Sequence, residues 1–285
     1  MVVTTKVDSA VIHSCLNQDL AEPVLYEFLW GCAVLFSTRA PDKQGSNEDS
    51  AALINRDDGS GVIIVADGLG GVAGGDDASR TVVKILADQI RIADPVVALR
   101  EVILNGIDAA NRALLDRGLG NATTLAIAEV NSHYIRTYHV GDAVVLLTGQ
   151  RGKLKLQTMS HSPTGYAIES GLIDENEAMG HEARHLVSNV VGSPEMRVEM
   201  GPDVAMAARD TVIVSSDGLF DNLFIEEIIE LIRKGPLIHA ARQLCERASG
   251  RMRIQGNEPS HPDDMTFVLF RRTAMERRNP RSVTP

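Results

Sequence analysis

One design occurs twice in this chain. The run Val62-Ile63-Ile64-Val65-Ala66 ends in Asp67-Gly68, and Thr211-Val212-Ile213-Val214-Ser215-Ser216 ends in Asp217-Gly218. A short, β-branched apolar run reads as a buried strand. A carboxylate at its end is carried on a stiff support, and the glycine after it lets another segment approach the backbone. Either ending taken singly also reads as an ordinary Asp-Gly turn. Together they point to a chain organised around strand-end acids, with Asp67 as a metal ligand to which other segments bring further carboxylates.

Those further acids stand at comparable places. Glu48-Asp49 precede the apolar Ala51-Ala52-Leu53-Ile54, Asp142 separates two apolar runs, Asp221 follows Asp217 closely, and Asp263-Asp264 precede a last apolar run at 265–270. Successive strand residues face opposite ways, so one of Glu48 and Asp49 can face a site while the other points elsewhere. Packed carboxylates repel, and a hard divalent cation is the usual remedy. An all-oxygen set without His or Cys points to Mg²⁺ or Mn²⁺ rather than zinc. A competing reading is weaker. Gly68-Leu69-Gly70-Gly71-Val72-Ala73 fits the loose GxGxxA dinucleotide fingerprint. Asp67 would repel a pyrophosphate there, and Asp88, twenty residues beyond Gly68, falls within a helical pattern instead of at a strand end.

Five motifs occur in order: Asn47-Glu48-Asp49, Ala66-Asp67-Gly68-Leu69-Gly70-Gly71, Val140-Gly141-Asp142, Ser215 and Asp217-Gly218-Leu219 with Asp221, and Asp263-Asp264-Met265-Thr266. In order and context this set resembles the metal-dependent serine/threonine protein phosphatases of type 2C, the PPM family, in their bacterial form, over residues 25–271. The resemblance implies an α+β fold, an αββα sandwich of two antiparallel sheets packed face to face and flanked by helix pairs. It implies hydrolysis of phosphoserine and phosphothreonine on proteins, with Mn²⁺ or Mg²⁺, two ions per active site, and a phosphoprotein substrate as partner. Carried over position by position, Asp67 bridges two ions, the Gly68 carbonyl binds one of them, and Asp217 and Asp263 bind the other. Glu48 and Asp49 hold water on the ions. Asp142 and Asp221, with Asp217, match positions that hold a third ion in related enzymes. Residues 162–197 match the flap of bacterial members.

The departures from the family pattern are specific. Relatives commonly carry a phosphate-holding Arg four residues before the matched Glu; here that position is Gln44, with Lys43 beside it, and both are candidates for phosphate binding. Asp264 stands where Asn is usual, which puts an extra negative charge beside Asp263. Thr-x-Asp-His-Ser is reduced to Met159-Ser160-His161-Ser162, with His161 read as structural. Absence of the Arg supports an alternative, a catalytically weak member acting as a phosphoprotein-binding or regulatory module.

The chain has 285 residues, 44% of them apolar, and a net charge of −10. That balance disfavours nucleic acid and anionic membranes as partners. Cys15, Cys32 and Cys245 are odd in number and far apart, which fits a reducing compartment and no disulfide framework. The longest apolar run, 28–36, is too short to span a bilayer, and no secretory signal is evident. A cytoplasmic monomer is the expectation. Residues 1–23 read as an N-terminal extension, 24–271 as the catalytic domain, and 272–285 as a basic, disordered tail. Within the domain, 24–38 reads as one strand, a helix follows a cap at Asp76-Asp77, and Asp94-Pro95 opens a second helix whose apolar stripe is Val96, Leu99, Ile103, Ile107 and Leu114. Strands are expected at 123–130, 134–140, 143–148 and 153–158, and helices at 225–232 and 237–248.

Overall fold

The structure is a computed structural model, and it describes residues 11–69, 74–184, 186–254 and 259–272. The N-terminal half holds β1 (Val11–Leu16), β2 (Val24–Phe28), β3 (Gly31–Thr38), β4 (Asp49–Asn55), β5 (Gly61–Asp67), α1 (Gly75–Ile92), α2 (Leu99–Arg117), β6 (Leu125–Val130) and β7 (Tyr134–Val140). The second half holds β8 (Val144–Thr148), β9 (Leu154–Gln157), α3 (Pro163–Glu169), α4 (Glu175–Met179), β10 (Glu199–Met200), β11 (Val204–Ala205), β12 (Thr211–Ser215), α5 (Asp217–Phe220), α6 (Ile225–Ile232), α7 (Leu237–Arg253) and β13 (Met265–Arg272).

The strands form two antiparallel sheets. One runs β1-β4-β5-β6-β7-β10, with β11 also on β7, and the other runs β2-β3-β13-β12-β8-β9. Burial explains how they stack. Val62, Ile63, Ile64, Val65 and Ala66 are all fully buried, because both faces of β5 are covered. Ile63 and Val65 face the other sheet, meeting Val145, Val214 and Phe270. Val62, Ile64 and Ala66 face Val82, Leu86 and Ile103 of α1 and α2. On the far side, Val34, Ile213 and Leu269 pack on Ile228, Ile232 and Leu244 of α6 and α7. The order is therefore helices, sheet, sheet, helices, the αββα arrangement expected. Between the sheets Phe270 meets Phe28 edge to face at 5.3 Å, and each such buried ring contributes about 1.5–3 kcal/mol.

Several boundaries differ from the sequence reading. Residues 24–38 form a hairpin, β2 and β3, because Leu29 adopts a left-handed conformation (φ 51) and reverses the chain without a glycine. The N-terminal stretch contributes β1, paired along β4. Asp76 and Asp77 lie inside the first turn of α1, where they complement its N-terminal dipole; the cap is Gly74, which makes no side-chain bond. The helix after Asp94-Pro95 begins only at Leu99, and Val96 is 91% exposed, so it is no part of the stripe. Asp88 lies on α1, as the helical pattern required. The glycine-rich residues 70–73 and the tail from 273 lie outside the described residues, while Arg271 and Arg272 end β13. No described helix is long and apolar enough to cross a membrane.

Candidate functional site

The acids meet because antiparallel pairing puts the start of one strand beside the end of the next. Asp49 opens β4 and is the register partner of Asp67, which closes β5. In the second sheet β12 ends at Ser215 next to the start of β13. Ser216 joins the two sheets: its Oγ donates to Asp49 Oδ2 at 2.8 Å and accepts from the Thr266 N–H at 3.0 Å. The Asp67 carbonyl accepts from Thr124 N–H at 2.8 Å and Thr123 Oγ1 at 2.7 Å, which fixes the strand end that carries the carboxylate.

Both Asp-Gly pairs work by close approach. A Cβ on Gly68 would lie 2.0 Å from the Gly75 carbonyl oxygen and 2.8 Å from that of Glu48. A Cβ on Gly218 would lie 2.0 Å from the Asp264 carbonyl oxygen. Each glycine therefore admits a second acid-bearing segment beside its aspartate. The two pairs differ in support: Asp67 ends a strand, whereas Asp217 opens the single helical turn α5.

Eight carboxyl groups gather here: Glu48, Asp49, Asp67, Asp142, Asp217, Asp221, Asp263 and Asp264. Burial, reinforced by neighbouring acids, holds Asp49, Asp67 and Asp142 well above the ordinary carboxylate range. Burial and then the charge of Asp221 push Asp217 to about 7. Burial and then Asp217 push Asp263 to about 7. Burial raises Asp221 to about 6 against the opposing pull of Arg184. Asp49 Oδ1, Asp142 Oδ1 and Asp217 Oδ1 are buried without any hydrogen-bond partner. Buried, unpaired carboxylate oxygens cost several kcal/mol unless a charge or donor meets them. The donor set is all oxygen and short of positive charge, so these residues fit hard divalent cations.

Among the described residues, two lysine or arginine side chains pair with the cluster. Lys43 Nζ donates to Glu48 Oε2 at 2.6 Å and to Asp264 Oδ2 at 2.7 Å. Burial alone would lower the Lys43 pKa; the bonds to Asp264 and Glu48 carry it above its ordinary value. Arg184, from the segment after α4, donates to Asp221 Oδ1 at 2.8 Å through Nε and to the Phe220 carbonyl at 2.8 Å through Nη2. A cavity of about 400 Å³ opens beside Arg184, lined by Asp142, Asp217 and Asp221 below and by Ile168 and Met179 of α3 and α4 above. The residues expected at the site are thus brought together, with one exception. Gln44 is exposed and its amide donates to the Asp42 carbonyl at 3.2 Å within its own turn.

His161 is a support. Its Nδ1 accepts from the Gly141 N–H at 3.1 Å and from Asn189 Nδ2 at 2.9 Å, and its Nε2 faces Glu199 Oε2 at 3.2 Å. His139 stacks on it at 4.5 Å. His139, His161 and Glu199 lie within ligand reach of one another. His161 Nδ1 is engaged by two donors, however, and with the His161 N–H bond to the Gly141 carbonyl it holds the turn before Asp142.

A sequence profile described as Protein phosphatase 2C matches residues 38–251. The chain belongs to the protein phosphatase 2C family. A Listeria welshimeri protein named serine/threonine phosphatase stp is 28% identical over 241 residues, 81% of this chain and 92% of the relative. The crystal structure of the Mycobacterium tuberculosis serine/threonine phosphatase PstP/Ppp superposes with a TM-score of 0.71 at 25% identity, over 85% of this chain and 98% of that one. A PstP catalytic domain in complex with two manganese ions has the same fold, with a TM-score of 0.69 at 22% identity, over 93% of this chain and 100% of that one. This phosphatase therefore has its family's fold. Two of its site residues lay beyond sequence reasoning. Ser216 is signalled only by polarity at a strand end, and Arg184 stands in a stretch without apolar periodicity.

Proposed function

We propose that this protein phosphatase removes phosphate from phosphoserine and phosphothreonine on proteins at the Asp67 cluster, with Mn²⁺ or Mg²⁺ held chiefly by the acids that have no lysine or arginine partner among the described residues. Asp67 is the strand partner of Asp49 and is buried within the charge influence of Asp217 and Asp263, which supports it as the ligand that would be shared by two ions. The Gly68 carbonyl, Asp217 and Asp263 complete the set for two ions, and Asp142 with Asp221 offers a weaker third place. Bound there, divalent ions lower the pKa of water from ~15.7 towards ~7 and neutralise charge on the phosphoryl oxygens. Glu48 and Asp49 orient that water by accepting its hydrogens; Asp49 is fixed for this by Ser216 and Glu48 by Lys43. The new bond runs from water oxygen to phosphorus, the bond from phosphorus to the seryl or threonyl oxygen breaks, the attacking water gives up a proton, and the leaving oxygen takes one from solvent to become the hydroxyl.

No thiol competes for the role of nucleophile. Cys15, Cys32 and Cys245 lie on β1, β3 and α7, and burial raises all three, Cys245 to about 12. The observation that carries the reading is the set of three buried carboxylate oxygens with no partner. The test is turnover of phosphoserine and phosphothreonine peptides with Mn²⁺. Activity should vanish in EDTA and return with Mn²⁺. Full activity after exhaustive chelation would falsify the assignment, and phosphopeptide binding without turnover would favour the regulatory alternative.

A further inference from the structure

The loop 39–48 is built around Asp264. The Ala40 N–H donates to its Oδ1 at 2.8 Å and the Glu48 N–H to its Oδ2 at 2.7 Å, so one carboxylate ties both ends of the loop. Lys43 Nζ adds a third bond to Oδ2, at 2.7 Å, from the middle of the loop. Asp264 is 2% exposed and its own N–H donates to Asp263 Oδ1 at 2.7 Å. A neutral amide could not do this, because it has one acceptor oxygen and the two backbone donors sit on different atoms. The carboxylate serves the loop but brings a buried negative charge beside Asp49 and Asp263, which is costly unless a cation meets it. Lys43 is that cation, and its second bond goes to Glu48 Oε2 at 2.6 Å. The two departures from the family pattern, at the loop and at 264, are therefore one feature.

We infer that Lys43 and Asp264 are a coupled positioning pair that sets the Glu48 carboxylate and its backbone against the reacting water, in place of a phosphate clamp. The inference deepens the phosphatase reading and rests on it for its kinetic consequences alone. Lys43 acts through Glu48. A residue that holds phosphate acts on substrate affinity, whereas one that positions a water-orienting carboxylate acts on turnover.

The experiment is a double-mutant cycle of Lys43→Met, Asp264→Asn and the pair, with Lys43→Arg as the conservative variant. Each is assayed with p-nitrophenyl phosphate and Mn²⁺, and each is melted without metal. Lys43→Met should lower kcat about 10- to 100-fold, the scale for losing a partner that orients a ligand, with KM within about twofold of wild type. Lys43→Arg should keep more activity than Lys43→Met. The double variant should lose no more than the worse single variant, in kcat and in melting temperature alike, because each single change strands the other group. If Lys43→Met fails to fold, recovery of folding in the double variant is the supporting result. A rise in KM alone, or losses that multiply in the double variant, would overturn the pair and return Lys43 to phosphate. Absence of turnover in the wild type would sink the phosphatase reading, while the melting cycle would still decide the pair.

Discussion

The acid cluster is closed at its two ends by different kinds of cation. At one end Lys43 belongs to a loop whose two ends hang on Asp264, and it holds Glu48 from inside the catalytic body. At the other end Arg184 comes from the segment between β9 and β10, where two short helices precede it, and it bonds Asp221 directly at the wall of a cavity. Between them Asp49, Asp67, Asp142, Asp217 and Asp263 have no lysine or arginine partner among the described residues. The lesson is electrostatic. A chain can neutralise the rim of such a cluster with its own side chains and leave the centre to ions, whose charge is denser than any side chain's. Lys43 bonds two acids of the cluster, whereas Arg184 bonds one and spends its other donors on the Met179 and Phe220 carbonyls.

The centre should break hardest. Asp67→Asn removes the carboxylate proposed to be shared by the two ions and should cost at least ~10³-fold in kcat, the scale of losing a principal electrostatic stabiliser. Asp217→Asn should match it. Equal, small losses at both positions would show that the chemistry lies elsewhere.

Metal-free stability sharpens the contrast between centre and rim. Burial pushes Asp217 and Asp263 up to about 7 and Asp221 up to about 6 in the fold, against ~3.9 in the unfolded chain. The folded state therefore keeps protons that the unfolded state has lost. The stability this confers is complete below the unfolded value and disappears as pH rises through the folded values. Without metal, the melting temperature should fall between about pH 4 and about pH 7, and saturating Mn²⁺ should flatten the profile. A flat metal-free profile would mean that water or a side chain already satisfies the centre.

The Arg184 end should give the smallest effect on rate. Asp221→Asn should stay within about tenfold of wild type. Arg184→Ala should leave kcat nearly unchanged and add a weak divalent site in calorimetric titration, since Asp221 then has no competing cation. If Arg184→Ala instead damages turnover as much as Lys43→Met, the two ends are alike and the distinction falls.

The strands carrying the acids were legible because each is a short β-branched run ending in Asp-Gly, and Asp67 and Asp217 stand where those runs stop. Which sheet each strand joins was not legible. Both sheets are covered on both faces, so β5 and β12 show no polar alternation to mark an inward side. The hairpin at Leu29 was hidden for another reason: its turn has no Asn-Gly or Gly pair, and the left-handed residue is a leucine held by tertiary contacts. The second helix begins later than its sequence suggests, because Asp94-Pro95 has the composition of a cap but sits in the loop before α2, whose cap is Ala98.

By itself the sequence determined the chemistry of the site, because ligand preference follows from residue type: several carboxylates, no thiolate or imidazole among them, each at the edge of an apolar run. Only the tertiary structure decided how the charge is balanced. Lys43 and Asp264 are 221 residues apart, Ser216 and Asp49 167 apart. Pairings over such separations follow from which strand ends the two sheets bring together, and no local pattern of residues encodes them.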